Sequence, residues 1–410
     1  MAQTKITSKS LAANTIAASN IADNAIESRH IAPAIFSPVI FSDKINSSTG
    51  YMGLPAGTTA QRPASPANGS VRFNTDFGFF EWYDSFSTLW LEMGQSRPAA
   101  ATGGTEATII DPEDGFRYKT HTYTTLGGTF FNVTRSGVVE FLVVAGGGSG
   151  GNRNTTNANG GGGGGGVLYK KNHHVKVGNI PVFVGDGGQA VGFQVSRGGY
   201  NGINSYFGSF IALGGGGGGS TNTAYGRDGG SGGGSAWDEA IAGRSIQTAM
   251  SGAQAFGNDG GLIGGGYTGC GGGGAGSTGN SWGQGGTDPY TDGGNLDHPP
   301  GAGGRGVPFT ISGTLKYYAG GGGGGANSSE QAGMGWHGGG RGFGTTQFYT
   351  HLNYPVVINS VTLGSGTPDA IDGTGGGGGA GSYWSNNSTN WLNRGSGVGG
   401  SGIVIIRYRI

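Results

Sequence analysis

The sequence predicts a mainly β protein with irregular and polyproline-II content. Three observations predict this class: an aliphatic residue at every fifth position near the N-terminus, short strand-prone runs separated by turn residues, and glycine runs that alternate with apolar strands. The predicted parts are an N-terminal fibrous, trimerising segment at 1–50, a small β-meander at 51–94, a linker at 95–104 and a glycine-rich polyproline-II/β head at 105–410, with its glycine-run core at 145–400.

The first segment carries a strict five-residue repeat of aliphatic side chains. Such a period would spread them around a single helix and alternate them between the faces of a strand, so a lone chain could not bury them on one side. Three extended chains could, each giving one aliphatic per layer to a shared axis, and we therefore expect a homotrimer. A weakly amphipathic helix is the alternative. The repeated residues are Ile6, Leu11, Ile16, Ile21, Ile26 and Ile31.

The second segment contains three short runs of strand-forming residues, Val71–Thr75, Phe79–Tyr83 and Trp90–Met93, with turn residues between them. This order predicts a three-stranded meander. A meander of this size is marginally stable in water by itself, so we expect it to trimerise or to pack on a neighbour.

The head begins with four predicted strands, at Ala107–Ile110, Arg117–Tyr123, Gly128–Val133 and Val138–Val144. The chain ends in another strand-forming stretch, at 399–410. We expect this last strand to pair with Val138–Val144. The glycine-rich region would then be an insertion that a sheet closes at its base.

Glycine dominates the composition, with 97 of 410 residues, about three times the usual share. The glycines lack the G-X-Y period of collagen. The longest runs lie at 160–166, 214–219, 271–274, 320–325 and 375–379. A flexible linker has no reason to be cut into pieces by strands, whereas packed polyproline-II segments of glycine can approach closely enough to hydrogen-bond to each other. We therefore expect a rigid slab whose connecting loops can vary.

The charges and the single cysteine exclude several classes of protein. Lys and Arg total 23 and balance 23 Asp and Glu, so we expect no nucleic-acid partner. Cys270 alone cannot form an intrachain disulfide, and we interpret it as a small buried filler. The polar start and the lack of a run of about 20 apolar residues favour synthesis in a cytoplasm without membrane insertion.

No motif predicts catalysis or a cofactor. The sequence has no phosphate-binding loop with the usual lysine, and no zinc or calcium spacing. His173 and His174 fit a solvated turn better than a metal site, and adjacent Asp238 and Glu239 do not have the separation that glycoside hydrolysis needs. We expect neither an enzyme nor a bound metal.

Aromatic residues within the polar loops are the candidate binding residues. Flat rings beside Asn, Ser, Thr and Asp are typical of surfaces that bind sugars or proteins. The alternative is that these rings fill the edges of the slab. We expect the exposure to be greatest at residues 336–337 and 383–384. The candidates are Tyr225, Trp237, Trp282, Tyr290, Trp336, His337, Tyr383, Trp384 and Trp391.

Two stretches carry a resemblance to known families. "LPAGTTAQRPASPANGSVRFNT", followed by "FEWYDS" and "WLEMG", resembles a module of phage tail-fibre and virion-appendage proteins. "VEFLVVAGGGSGG", "YYAGGGGGG" and "GGSGIVIIRY" resemble the C-terminal glycine-rich domain of phage tail-fibre proteins, similar in style to glycine-island tail-tip adhesins. The alternatives are a capsid or collar decoration fibre without a receptor and, in another class, an ice-binding glycine-rich bundle.

The resemblance implies a structural protein of the virion that recognises a host receptor during adsorption. It also implies partners: tail, baseplate or adaptor proteins at the N-terminus, and a host-surface glycan or outer-membrane protein at the head.

Overall fold

A computed structural model shows strands as the main secondary structure. The described residues contain no α-helix, which confirms the mainly β class. The chain divides into two compact units, Met1–Met93 and Gly94–Ile410. The six aliphatic residues of the five-residue repeat lie outside the described residues. The described residues are 54–76, 78–86, 88–93, 98–153, 158–192, 195–220, 225–237, 241–262, 268–281, 301–326, 332–343, 369–381 and 395–410.

The described residues of the first unit form one four-stranded sheet. Its strands are β1 (Ala56–Gly57), β2 (Val71–Asn74), β3 (Phe79–Asp84) and β4 (Leu89–Glu92), in this spatial order. β2, β3 and β4 pair antiparallel, which confirms the predicted meander. β1 adds a parallel edge to β2, a pairing that the sequence analysis did not predict.

A buried ion cluster holds this sheet together. Glu81 is fully buried and accepts hydrogen bonds from Arg62 Nε at 3.2 Å and from Asn74 at 3.0 Å. Arg72 lies 3.4 Å from the same carboxylate. Burial by itself raises the pKa of Glu81, but the hydrogen bonds from Arg62 and Asn74 and the charges of Arg62 and Arg72 outweigh it and hold this pKa below its ordinary value.

The second unit is built on two sheets. The six-stranded sheet has the order β14-β10-β9-β17-β7-β6, and the five-stranded sheet has the order β13-β12-β11-β8-β5. A two-stranded hairpin, β15-β16, is separate from both. In chain order the strands are β5 (Ala100–Thr102), β6 (Thr105–Ile110), β7 (Arg117–Tyr123), β8 (Gly127–Arg135), β9 (Gly137–Val144), β10 (Val167–Val175), β11 (Gly178–Val184), β12 (Ser205–Phe207), β13 (Phe210–Ala212), β14 (Gln254–Phe256), β15 (Val307–Phe309), β16 (Lys316–Tyr318) and β17 (Ile403–Arg409).

The apolar core lies between the two sheets. Phe141 of β9 and Ile406 of β17 pack in one cluster with Phe131 of β8 and Phe207 of β12, and all four are fully buried. The other face of β9 and β17 packs against the β15-β16 hairpin. Because these two strands are covered on both faces, their sequences read as continuous apolar runs.

The last strand closes the fold as predicted. β17 pairs antiparallel with β9, with Ile403 opposite Val144 and Ile406 opposite Phe141, and its other edge pairs with β7. Residues 145 to 402 are therefore inserted between two neighbouring strands. The sheet brings both ends of this insertion together at its base.

Two expectations from the sequence were wrong. Ala100–Thr102, inside the expected linker, form β5 and pair with β8, because their backbone completes the edge of the five-stranded sheet. His173 and His174 lie in β10 and not in a turn. The ring of His173 packs edge-on against Phe141 and Phe210, and burial lowers its pKa.

Candidate functional site

The glycine runs are joined backbone to backbone by hydrogen bonds that recur at every third residue. In the run 160–166, the N–H groups of Gly160, Gly163 and Gly166 donate to carbonyls in 213–219. Those of Gly161 and Gly164 donate to carbonyls in 270–273, and those of Gly162 and Gly165 donate to carbonyls in 375–378. The bond from Gly163 to the Gly216 carbonyl is 2.8 Å long. Successive N–H groups of this run therefore donate to three different neighbouring segments, and the run makes no hydrogen bond within itself.

The carbonyls of the same run accept from three further segments. Donors come from 145–151, from 231–234 and from Gly322, whose N–H group lies 2.8 Å from the Gly162 oxygen. The run 160–166 thus has hydrogen-bonded neighbours in six segments and forms the centre of the insertion. We term the non-strand segments between Ala145 and Gly402 that are joined in this way the glycine core.

Close approach of backbones explains why these positions are glycine. A Cβ atom at Gly161 would lie 2.1 Å from the Gly322 carbonyl oxygen, and one at Gly377 would lie 2.0 Å from the Gly162 oxygen. These neighbours are backbone atoms held on both sides, so they cannot rotate away as a side chain would. Throughout the run 160–166, φ stays outside the left-handed region. Space, and not an unusual φ, requires glycine here.

Polar side chains supply acceptors where the glycine core has no further backbone neighbour. Asn204 accepts a hydrogen bond from Gly214 N–H at 2.8 Å, and Asn201 accepts one from Gly217 N–H at 3.0 Å. Asp carboxylates do the same at other edges, including Asp372 with Ser401 N–H at 3.0 Å. These contacts satisfy N–H groups that would otherwise be left unpaired at the margins of the core.

The segments of the glycine core run between two opposite ends. At the first end the segments adjoin strands, since Ala145 follows β9, Gly166 precedes β10 and Leu213 follows β13, and these residues are hydrogen-bonded to each other. We term the other end the distal end. It is marked by a chain of hydrogen bonds that links Gly151, Gly160, Gly219 and Gly234.

At the distal end, one segment of the glycine core ends and the next segment along the chain begins. Seven intervening segments, all outside the described residues, connect such neighbours, and hydrogen bonds locate the residues that flank them. For each of these segments, the residue before it and the residue after it therefore lie at the same end of the glycine core. The flanking pairs are Arg153 and Ala158, Gly192 and Val195, Ser220 and Tyr225, Trp237 and Ile241, Leu262 and Thr268, Ala326 and Ala332, and Gly381 and Gly395.

Three buried side chains fix the distal end. Asn152 donates to the Gly192 carbonyl at 3.0 Å, and its own carbonyl accepts from the Ser220 hydroxyl at 2.8 Å. Asn159 donates to the Gly381 carbonyl at 2.9 Å. Asn152 is 2% exposed, and the other two are fully buried. These contacts join residues next to different flanking pairs, so the departure points of the connecting segments are held relative to one another.

Two of the candidate binding residues lie at the distal end. Tyr225 is 53% exposed and directly follows one intervening segment. Trp237 is half-buried, and its N–H group donates to the Ala158 carbonyl at 3.0 Å. Both rings are thus carried by backbone that belongs to the glycine core.

His337 is placed differently from the expectation. It is 7% exposed, its ring stacks on Tyr317 at 4.0 Å, and its Nδ1 accepts a hydrogen bond from Gly306 N–H at 2.9 Å. The expected exposure of His337 is wrong because the core uses its ring nitrogen as an acceptor. The neighbouring Trp336 is half-buried, with the Arg305 guanidinium 5.3 Å from its ring centroid.

The remaining candidates lie outside the described residues: Trp282, Tyr290, Tyr383, Trp384 and Trp391. Within the described part of the chain, no group of three or more His, Cys, Asp or Glu side chains could hold a metal ion. No helix in that part is long and apolar enough to cross a membrane. Cys270 is fully buried in the glycine core, as expected.

Sequence reasoning missed the polar residues that organise the glycine core. Asn159 directly precedes the run 160–166, Ser220 directly follows the run 214–219, and Asn152 directly follows Gly150 and Gly151. This position was the available signal. A polar residue at either limit of a run marks where backbone donors and acceptors lose their glycine partners.

Comparison with known proteins gives one family. No curated protein matches the chain. The family model described as "Glycine-rich domain" matches residues 124–409, a range that contains the strands β8 to β17 and the whole glycine core. Since this match covers more than half of the sequence, the chain belongs to the glycine-rich domain family.

Proposed function

We propose that the chain is a structural protein of a bacteriophage virion, a tail fibre or tail-tip adhesin that recognises a receptor on the host during adsorption. The observation that carries this proposal is the shared departure of the connecting segments from the distal end of the glycine core. Segments that start and end on one fixed surface can change in sequence without disturbing what holds them. A recognition surface requires this arrangement.

The runs of the glycine core act as polyproline-II helices in this proposal. Such a helix has three residues per turn and no internal hydrogen bonds. The three-residue recurrence of donors along 160–166, directed at three different neighbours, supports this interpretation. Rigid rods bonded on all sides hold the distal end in place, which lowers the entropy lost when a receptor binds.

The receptor in this proposal is a host-surface glycan or an outer-membrane protein. Tyr225 presents an exposed ring at the distal end, where it can bury area at a small cost in side-chain entropy. Trp237 and the candidates outside the described residues would extend this surface. The chain acts by binding, with neither a cofactor nor catalysis.

The N-terminal part anchors the protein in this proposal. Residues 1–50 form a homotrimer through the aliphatic five-residue repeat and attach to tail, baseplate or adaptor proteins. The protein is synthesised in the host cytoplasm and becomes part of the virion. The repeat is the observation that supports trimerisation.

Virion labelling and competition for the receptor test the proposal together. Antibodies against the purified full-length protein should label the tails of the parent phage, and the free protein should reduce adsorption of that phage to its host. Replacing Tyr225 by Ala should weaken this competition by about tenfold, the scale of an interface hot spot. Leu126→Ala is the matched control, because Leu126 is 50% exposed in the turn between β7 and β8.

Each outcome has a separate meaning. Antibodies that label no part of the virion would refute the structural role. Labelling of the head or collar without competition would refute the adhesin and favour a decoration fibre. Equal competition by the two variants would remove Tyr225 from the receptor surface.

A further inference from the structure

A cavity of about 580 Å³ opens on the β-sheet part of the second unit, apart from the distal end. It lies between the β15-β16 hairpin, the paired strands β10 and β14, and the turn that joins β6 to β7. Its volume falls within the range of pockets that bind small ligands. The proposed receptor surface uses none of its lining residues.

One wall of the cavity is aromatic. The rings of Tyr169 and Phe309 line it and lie 4.8 Å apart. Phe256 lies behind the lining and supports Phe309 with an edge-on contact at 5.8 Å. Ile311 is buried below them. Contacts on several sides hold these rings, so the wall is formed before any ligand arrives. A half-buried aromatic wall suits the apolar face of a flat, compact ligand such as a sugar ring.

The polar lining opposite this wall carries one charge of each sign, the Lys171 ammonium and the Glu113 carboxylate. The Lys170 ammonium is engaged elsewhere, since it lies 5.3 Å from the centroid of the Phe210 ring. Glu113 accepts a hydrogen bond from the Thr310 hydroxyl at 2.7 Å. In the described part of the chain, the side chains of Lys171 and Gln254 make no protein hydrogen bond or ion pair. They are therefore available to a ligand.

The rim of the cavity includes a strained turn. Ala253 N–H donates to the Met250 carbonyl at 2.8 Å, and the two residues between them, Ser251 and Gly252, have φ values of 45° and 74°. A left-handed conformation is uncommon for a serine. The Lys170 ammonium donates to the Ser251 carbonyl and holds the turn in place. Strain of this kind persists where the surroundings fix it and is concentrated at ligand-binding sites.

We propose that this cavity binds an acidic sugar unit of the uronic acid class. The Lys171 ammonium pairs with the sugar carboxylate, the Gln254 amide and the Glu113 carboxylate hydrogen-bond to hydroxyl groups, and the Phe309 side of the wall covers the apolar face of the ring. A neutral sugar lacks the partner for the lysine. A simple anion lacks the partners for the amide and the rings. This inference does not depend on the proposed role in adsorption.

Titration calorimetry of the full-length protein with glucuronate tests this site. Binding should be weak, with a dissociation constant on the order of 1 mM, because a single sugar unit buries little area. Lys171→Gln should weaken binding by about tenfold, which corresponds to about 1.4 kcal/mol. Lys176→Gln is the matched control, since it makes the same change at an exposed lysine outside the cavity. It should leave affinity unchanged.

Glucose and acetate complete the experiment as ligands that carry only half of the required chemistry. Both should bind at least about tenfold more weakly than glucuronate, a difference of about 1.4 kcal/mol. Equal affinity for acetate and glucuronate, equal losses in the two lysine variants, or no glucuronate binding would each overturn the proposal. Because both lysines are exposed, far-ultraviolet circular dichroism should show unchanged folding in both variants. No virion enters this assay, so its failure is separate from failure of the adsorption role.

Discussion

Replacing Gly162 by Ala tests whether close backbone packing stabilises the second unit. The added Cβ would lie 2.1 Å from the Gly148 carbonyl oxygen and 2.6 Å from its carbon, and real Cβ contacts are essentially never below 3.0 Å. The backbone of Gly148 cannot move alone, since its own N–H group donates to Gly163 at 2.8 Å and its carbonyl accepts from Gly378 at 2.8 Å. The substitution must therefore displace a whole segment.

The expected loss in the free energy of unfolding follows from these contacts. Overpacking against fixed atoms costs about 3 kcal/mol. The two hydrogen bonds of Gly162, to Gly378 and from Gly322, lose about 1 kcal/mol each when the backbone shifts. Alanine also lowers the entropy of the unfolded chain, which opposes the loss by about 0.7 kcal/mol. The net loss is about 4 kcal/mol.

Chemical denaturation and thermal melting of Gly162→Ala and Gly128→Ala measure this loss. A Cβ at Gly128, in β8, would meet its nearest neighbour, a carbon of the Phe183 ring, at 3.7 Å, which is ordinary contact. The control should change stability by less than about 0.5 kcal/mol. Gly162→Ala should lower the melting temperature by about 8 °C, at about 2 °C per kcal/mol for a unit of this size. Equal stability of the two variants would refute the close-packing argument.

Three further perturbations test the charged groups. Arg407 is 2% exposed and forms ion pairs with both Asp111 and Glu140. Arg407→Met should therefore lower the free energy of unfolding in urea by about 3–5 kcal/mol, whereas Arg409→Met, at an exposed position, should lower it by under about 1 kcal/mol. Equal losses would contradict a stabilising role of these ion pairs. Asp372→Ala removes the acceptor of Ser401 N–H and should cost about 0.5–1.5 kcal/mol, because Asp372 is exposed, whereas Asp372→Asn, which keeps an acceptor, should cost less. Because the pKa of Glu81 is lowered in the folded state, its carboxylate stabilises the first unit at pH values above the unfolded-state pKa of about 4.3. The stability advantage of wild type over Glu81→Gln should therefore fade as pH drops through and below that value. A constant difference between pH 7 and pH 3 would contradict this assignment.

The strands that the sequence predicted best are those buried on both faces. Val138–Val144 and the C-terminal stretch read as continuous apolar runs, and their pairing was predicted because both are strongly strand-forming and lie at the two ends of the glycine-rich region. β10 and β11 were not predicted as strands. The β10 sequence, Val-Leu-Tyr-Lys-Lys-Asn-His-His-Val, is polar over half its length because much of that strand is exposed. Its strand state depends on pairing with β9 and β14.

The sequence predicted that the glycine runs pack closely, but it did not predict which runs are neighbours. Glycine runs between strands indicated close-packed backbone, yet the spacing between runs gives no information about which run neighbours which. That order depends on register, such as Gly162 facing Gly378 on one side and Gly322 on the other, and on residues far apart in the chain. The burial of His337 followed from the same cause. The N–H group of Gly306, thirty-one positions away, required an acceptor, and nothing in the local sequence signalled this.

The glycine core reverses the usual relation between side chains and stability. In an ordinary domain the core tolerates volume-conserving exchanges, because many apolar side chains can fill the same space. Here a neighbouring backbone carbonyl occupies the space that a side chain would need at Gly161, Gly162 or Gly377, so no residue larger than glycine fits. Ordering glycine costs about 0.5–1 kcal/mol per residue more than ordering alanine, which only a nearly complete set of backbone hydrogen bonds offsets. Substitution is therefore excluded at these positions of the runs. The proposed adhesin role accordingly assigns variation in sequence to the segments between the flanking pairs.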